Sequence, residues 1–362
     1  MDPGAGVNKL TERCQEMEEK EQQGQAAFNE QAAQAARQQA QYAMPEQRKF
    51  GIMKAEQICG EVSKAISGKN EIIAKVMTVL VAGGHILLED IPGVGKTTLA
   101  LAFSRAMDLK FNRVQFTPDV VPSDVTGFSL YNKEAGRFEY KEGAAMCNIL
   151  LADEINRTSS KTQSSLLEVM QEGNVTVDGV THEVPKPFLV IATENPVETA
   201  GTQMLPEAQL DRFAVQLSIG YPDKESEMGI LADRRKSDPL DTIRKVANAE
   251  DILRMRDEAR DVYIDAKIYD YVTDLVRATR EHRLIKLGVS PRGAISICSL
   301  AQARAYVSGR DYVIPPDVQA VFHDAARHRI MLSSQAKLEG QSADAILDEI
   351  LKNTGLPDVT KK

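Results

Sequence analysis

Tryptophan is missing from this 362-residue chain, and aromatic residues together make up only 5% of it. So small a supply of flat rings argues against a stacking platform for single-stranded nucleic acid. Cysteine is sparse: Cys14, Cys59, Cys147 and Cys298 lie far apart, with no C-x-x-C pair and no histidine spacing. That excludes a disulfide framework or a zinc ribbon and fits a reducing compartment. An excess of positive charge is also lacking, since 52 acidic residues face 44 basic ones for a net charge of −8. No global field therefore draws the protein to nucleic acid or an anionic membrane. No apolar run approaches a membrane span, and the first residues hold no apolar signal-peptide core. A cytoplasmic protein is expected.

The chain is long enough for two domains and a sizeable core. Residues 1–48 form a Gln/Ala-rich extension, as in Gln31-Ala32-Ala33-Gln34-Ala35-Ala36, with helix-favouring composition but little to bury. Residues 49–222 alternate helical patterns with short continuous apolar runs at His85–Leu88, Asn112–Phe116, Asn148–Ala152, Phe188–Ala192 and Ala214–Ile219. That alternation predicts a buried parallel sheet sandwiched by helices. Two inserts break the rhythm and read as hairpins. Phe128–Tyr131 and Arg137–Tyr140 form one, and the other turns at Asp178-Gly179 between Val175–Val177 and Val180–Val184. Residues 223–336 read as an all-α region, with helices predicted at 225–235, 249–260, 266–283, 291–308 and 315–329. A tail, 337–362, carries one more amphipathic helix, Ala343–Leu351. There is no internal repeat.

The chemistry begins at Ile86-Leu87-Leu88-Glu89-Asp90-Ile91-Pro92-Gly93-Val94-Gly95-Lys96-Thr97-Thr98, an apolar strand that breaks into a Gly-rich turn and opens a helix. The turn Pro92–Thr98 offers backbone N–H groups from Gly93 onward, which with the positive end of the helix form an anion cradle. Lys96 supplies a point charge for β- and γ-phosphates, and the Thr97 hydroxyl is placed for Mg²⁺. Asp90 occupies the first Gly of the general G-x-x-x-x-G-K-T pattern. A carboxylate cannot face phosphate, so Asp90 is expected to point away, leaving the tight turn to Gly93 and Gly95.

A second apolar strand ends in Asp153-Glu154, where Asp153 suits the Mg²⁺ shell and Glu154 suits orientation of an attacking water. A third ends at Asn195, which could hydrogen-bond that water or the γ-phosphate. Alone, Asn195 reads as a turn residue before Pro196. Arg212 precedes the last core strand and Arg292 opens a helix in the all-α region. In isolation each reads as a surface ion-pair partner, Arg292 with a nearby carboxylate such as Glu281. The hairpin 174–184 carries Asp178 and Glu183 and neither Lys nor Arg, which weighs against a grip on nucleic acid.

P-loop, Asp153-Glu154, Asn195, Arg212 and Arg292, in that order, resemble Walker A, Walker B, sensor 1, arginine finger and sensor 2 of an AAA+ ATPase. The two hairpins fall where the helix-2 insert and the pre-sensor-1 hairpin occur in the clade of MCM helicases and magnesium chelatase. Gln115-Phe116-Thr117-Pro118-Asp119, Pro122-Ser123-Asp124-Val125-Thr126-Gly127, Ala152-Asp153-Glu154-Ile155-Asn156-Arg157 and Ala192-Thr193-Glu194-Asn195-Pro196 narrow the resemblance to the MoxR family. It covers about residues 55–357. It implies a P-loop AAA+ core with a C-terminal all-α lid, Mg²⁺-dependent ATP hydrolysis and assembly into a ring, expected to be a hexamer. Arg212 would serve a neighbouring subunit, and Arg292 would touch the γ-phosphate in cis. The implied role is a chaperone-like remodeller or maturation factor for a protein client, commonly with a partner carrying a von Willebrand factor A domain. A magnesium-chelatase-like metal-insertion ATPase is the alternative. A nucleic-acid motor is a weaker one, and a small-molecule kinase would need neither Arg212 nor Arg292.

Overall fold

A computed structural model describes residues 46–194, 205–233 and 238–357. The expectations for the extension up to residue 45, and for Asn195, lie outside these residues. Helices α1 (Glu46–Ser63) and α2 (Asn70–Ala82) lead into β1 (Ile86–Glu89) and α3 (Lys96–Ala106). There follow β2 (Phe111–Gln115), the short α4 (Pro122–Thr126), β3 (Gly127–Asn132), β4 (Arg137–Glu142), β5 (Ile149–Asp153) and α5 (Ser160–Glu172). Next come β6 (Asn174–Val177), β7 (Val180–Glu183), β8 (Leu189–Glu194), the short α6 (Glu207–Leu210) and β9 (Val215–Leu217).

The five apolar runs pair as one parallel sheet in the order β2-β5-β8-β1-β9. Parallel strands covered on both faces must be apolar at every position, because alternate side chains enter opposite cores. Leu87, Leu150, Ala152, Val190 and Ala192 enter one apolar cluster with Leu166, Leu167 and Met170 of α5. Ile86, Leu88, Ile149, Leu151, Leu189 and Ile191 enter the other, with Met77 and Leu80 of α2 and Phe103 of α3. The two edge strands, β2 and β9, mix polar with apolar residues and are partly exposed. β3–β4 and β6–β7 are antiparallel hairpins outside the sheet. Asp178 and Gly179 both take positive φ, the requirement of a two-residue hairpin turn.

Beyond β9 the chain is helical: α7 (Lys224–Asp233), α8 (Ala249–Arg260), α9 (Ala266–Glu281), α10 (Pro291–Val307), α11 (Pro315–Ala326), α12 (Ser334–Leu338) and α13 (Ala343–Asn353). Besides the short α12, the sequence pattern misses an antiparallel ribbon there, of β10 (Ile285–Leu287) with β11 (Met331–Leu332). Strands this short carry no readable period. The helix expected to reach residue 329 instead ends at Ala326 and tightens into a 3₁₀ turn, Arg327–Arg329. The helical region packs on α2 and β9 through α8, α10 and α11 and extends the same apolar cluster that holds one face of the sheet. No helix among the described residues is long and apolar enough to cross a membrane.

Candidate functional site

The carboxyl ends of β1, β2, β5 and β8 meet around a cavity of about 310 Å³. At β1 the chain leaves the sheet through Asp90, whose buried carboxylate turns away from the cavity. It accepts hydrogen bonds from Ser218 Oγ (2.8 Å), Ile219 N (2.6 Å) and Gly220 N (3.0 Å). Three donors make a buried carboxylate tolerable where the general motif has glycine, and they tie the start of the turn to the segment after β9. Gly93 (φ +88°) and Gly95 (φ +96°) then make the reversal. A Cβ at Gly93 would meet no protein atom within 4 Å, so the loop presents bare backbone to the cavity it lines. The helix α3 begins immediately after Gly95, and its unpaired first-turn N–H groups reinforce the cradle. Lys96 Nζ donates to the Asp90 carbonyl (2.8 Å). Burial lowers its pKa below the usual lysine value, against the pull of Asp90, Asp153 and Glu154.

On the opposite wall Asp153 closes β5. Arg113 Nε donates to its Oδ2 (2.7 Å) and Thr193 Oγ1 to its Oδ1 (3.2 Å). Glu154 follows in the left-handed region (φ +54°), a conformation that costs a non-glycine residue energy and is held by its surroundings. Its N–H donates to Thr193 Oγ1 (2.8 Å), so one hydroxyl orders both acids. The Glu154 carboxylate accepts from Gln115 Nε2 (2.9 Å) and Arg157 (2.8 Å).

Pro92, Gly93, Gly95, Lys96, Thr97, Thr98, Asp153 and Glu154 thus line one cavity. Val94 lines a neighbouring pocket of about 200 Å³ that shares Gly93, Gly95 and Thr98 with it. That pocket is walled by Ala65, Ile66, Pro222 and Pro239, with Lys69 and Asp238 at its polar side. A Lys, a Thr hydroxyl, two carboxylates and a bare glycine turn beside an apolar slot form a donor set suited to a nucleoside triphosphate with a divalent cation.

Sequence reasoning missed Arg113, while Gln115, Arg157 and Thr193 belong to motif strings with no role attached. The available signal was polar: Arg113 and Gln115 sit two apart on an edge strand, and Thr193 interrupts the apolar run of β8.

The family model for "ATPase family associated with various cellular activities (AAA)" matches residues 85–215, and the AAA lid domain model matches 277–350. Chaperone MoxR1 of Mycobacterium tuberculosis is 39% identical over 308 residues, 83% of this chain and 81% of that protein. The chain belongs to the MoxR family of AAA+ ATPases. Bacillus subtilis YeaC is 48% identical over 82% of this chain and 92% of its own. A crystallised Cytophaga hutchinsonii protein described as a candidate ATPase superposes with TM-score 0.80 at 38% identity, covering 86% of this chain and 98% of that one.

In this MoxR-type ATPase the two arginines do not line the phosphate cavity. Arg212 lies in the turn between α6 and β9, and exposed Arg292 lies in the first turn of α10. Neither has an ion-pair partner among the described residues; Glu281 is bonded to Arg277 instead (3.3 Å). They are joined indirectly. Asp211, beside Arg212, accepts from Ser290 Oγ (2.9 Å), the N-cap of α10 two residues before Arg292.

The hairpins also make contact. Tyr140 of β4 stacks on His182 of β7 (3.9 Å between centroids, 11° between planes) and donates to the Thr126 carbonyl (2.6 Å). Tyr140 is therefore structural. Phe128, Leu130, Tyr131 and Phe138 stay exposed, Phe138 at 72%, with Tyr131 and Phe138 edge to face at 5.3 Å.

Proposed function

We propose that this ATPase is a chaperone-like remodeller or maturation factor for a protein client, working as a ring, hexameric by resemblance, with a partner that carries a von Willebrand factor A domain. Its parts would be a nucleotide-binding core (49–222), a lid (223–336) and a tail (337–362). Lys96 and the backbone from Gly93 to Thr98 hold the phosphates of ATP, while Thr97 and Asp153 hold Mg²⁺. Bound Mg²⁺ would neutralise phosphate charge. Glu154 orients the attacking water, and Asn195 hydrogen-bonds that water or the γ-phosphate. Arg212 completes the site of an adjacent subunit. Arg292, expected from sequence to act in cis, stands on the same corner as Arg212 and is read as part of the same interface.

The observation that carries the client reading is the joined hairpin pair, which exposes Phe128, Leu130, Tyr131 and Phe138 while β6–β7 offers no Lys or Arg. Exposed apolar side chains on both faces of the β3–β4 ribbon, Phe128 and Leu130 on one and Tyr131 with Phe138 on the other, suit protein contact, whereas a translocase for nucleic acid needs phosphate-binding cations. The test measures ATP turnover with a partner carrying a von Willebrand factor A domain and, separately, with DNA or RNA at physiological salt. Stimulation by the protein alone is the expected result. Stimulation by nucleic acid with a steep salt dependence overturns it, and concentration-independent turnover by a monomer overturns the ring.

A further inference from the structure

The 3₁₀ turn after α11 ends in Arg329, a guanidinium whose side chain is 1% exposed and which nothing in the nucleotide chemistry uses. It has six acceptors. Nε donates to Asp211 Oδ1 (2.8 Å), and the terminal nitrogens donate to the carbonyls of Asp211 (3.2 Å), Phe213 (2.5 Å), Ala214 (3.1 Å) and Ala325 and to Ser296 Oγ (3.3 Å). Three of these carbonyls flank Arg212 on both sides, so the backbone that carries Arg212 is pinned from before and behind. His328, buried and kept neutral by that burial, adds an Nε2–H bond to the Phe213 carbonyl (3.1 Å).

The same knot grips α10. Ser290 Oγ donates to the Asp211 carboxylate while accepting from Gly293 N (3.1 Å). Gly293 has no Cβ where one would stand 2.8 Å from Arg329 Cδ, so the helix seats directly on the arginine stem. Arg292 lies between these two contacts. A buried ion pair is a poor source of stability, because desolvation offsets its attraction and apolar residues would serve as well. What a fully bonded guanidinium gives is fixed position and direction at several points together.

We propose that the Arg329–Asp211–Ser290 knot is a positioning device that locks Arg212 and Arg292 into one rigid edge, so that lid movement and arginine insertion are a single motion. The inference rests on the reading of Arg212 as the arginine finger. Arg329 and Ser290 touch no nucleotide; they act through the backbone of Arg212 and the first turn of α10.

The test uses the full chain under assembling conditions. Ser290→Asp keeps the helix cap but loses the donor and sets a carboxylate against Asp211, while Ser290→Asn keeps both a cap and a donor. Ser290→Asp is expected to lower kcat by about ten- to a hundredfold, the cost of misplacing a catalytic group by about 1 Å. Nucleotide Kd should stay within about twofold, because the loss falls on the transition state rather than on binding. Ser290→Asn should recover most of the turnover. In an Arg212→Ala background Ser290→Asp should cause no further loss, which a merely structural defect would not reproduce. Gly293→Ala, which crowds Val289 and Arg329 without altering a polar group, should lower kcat in the same way. Wild-type kcat in folded Ser290→Asp or Gly293→Ala, or a loss that adds fully to that of Arg212→Ala, overturns the coupling alone. Undiminished turnover in Arg212→Ala overturns the finger reading, and the proposal with it.

Discussion

Replacing Glu194 by Gln tests the electrostatics at the end of β8. Glu194 faces Glu89 across the β1–β8 register, and its Oε1 is buried without a hydrogen-bond partner among the described residues. Burial first, and the neighbouring Glu89 charge second, push its pKa up to about 7 from an ordinary 4.5. The folded protein then binds this proton more tightly than the unfolded chain. Stability from this source is complete below about pH 4.5 and is lost as pH rises through about 7. The gap between 4.5 and about 7 corresponds to about 3 kcal/mol at 1.36 kcal/mol per pH unit. The amide of Glu194→Gln cannot ionise, so the variant escapes the loss. Its advantage over the native protein should grow by about 2 kcal/mol between about pH 5.5 and about pH 8.5. For a chain of 362 residues that is a gain of about 2–3 °C in the difference between the two melting temperatures. Differential scanning calorimetry without nucleotide at several pH values reads this directly. A new amide bond to Glu89 would add a constant offset, so only the pH-dependent part counts. An offset that does not change with pH refutes the reasoning, because Glu194 would then ionise as an ordinary carboxylate.

The remaining predictions concern the nucleotide site. Lys96→Ala should abolish ATP binding, and Glu154→Gln should bind ATP yet stop turnover, as measured with a fluorescent nucleotide and phosphate release; binding by Lys96→Ala at native affinity would contradict the cradle. Asp90→Ala strips the acceptor from two backbone N–H groups and the Ser218 hydroxyl, and should destabilise by about 2–4 kcal/mol in urea titration; a change within about 0.5 kcal/mol, that of an ordinary surface site, would contradict the clamp. Thr193→Val removes the hydroxyl that orders both acids and should lower kcat about tenfold or more with ATP affinity little changed; an unaltered kcat would show that Glu154 holds its left-handed backbone without it.

The elements around the proposed nucleotide site were legible because their causes are local. A buried parallel strand must be apolar on both faces, so Ile149–Ala152 and Leu189–Ala192 announce themselves as unbroken runs. The turn at Gly93 and Gly95 needs positive φ, and Lys96-Thr97 must open a helix to meet phosphate, so adjacent residues carry the whole signal. Asp178-Gly179 is legible for the same reason. Even the departure at Asp90 could be read, as a carboxylate that has to turn away from phosphate. What it turns toward could not, because its partners lie almost 130 positions further on. Thr193 meets Asp153 and Glu154 only where β5 and β8 lie side by side, 39 or 40 positions apart in sequence. Arg329 reaches Asp211 across 118 positions, and in sequence it is one basic residue among several after a helix. The sequence by itself determined the sheet, the phosphate turn and the order of the motifs, since each follows from backbone geometry and burial within a few residues. Only the tertiary structure decided which polar side chains aim those motifs and which corner carries Arg212 and Arg292, because hydrogen-bond partners are set by distance in space, to which separation along the chain is blind.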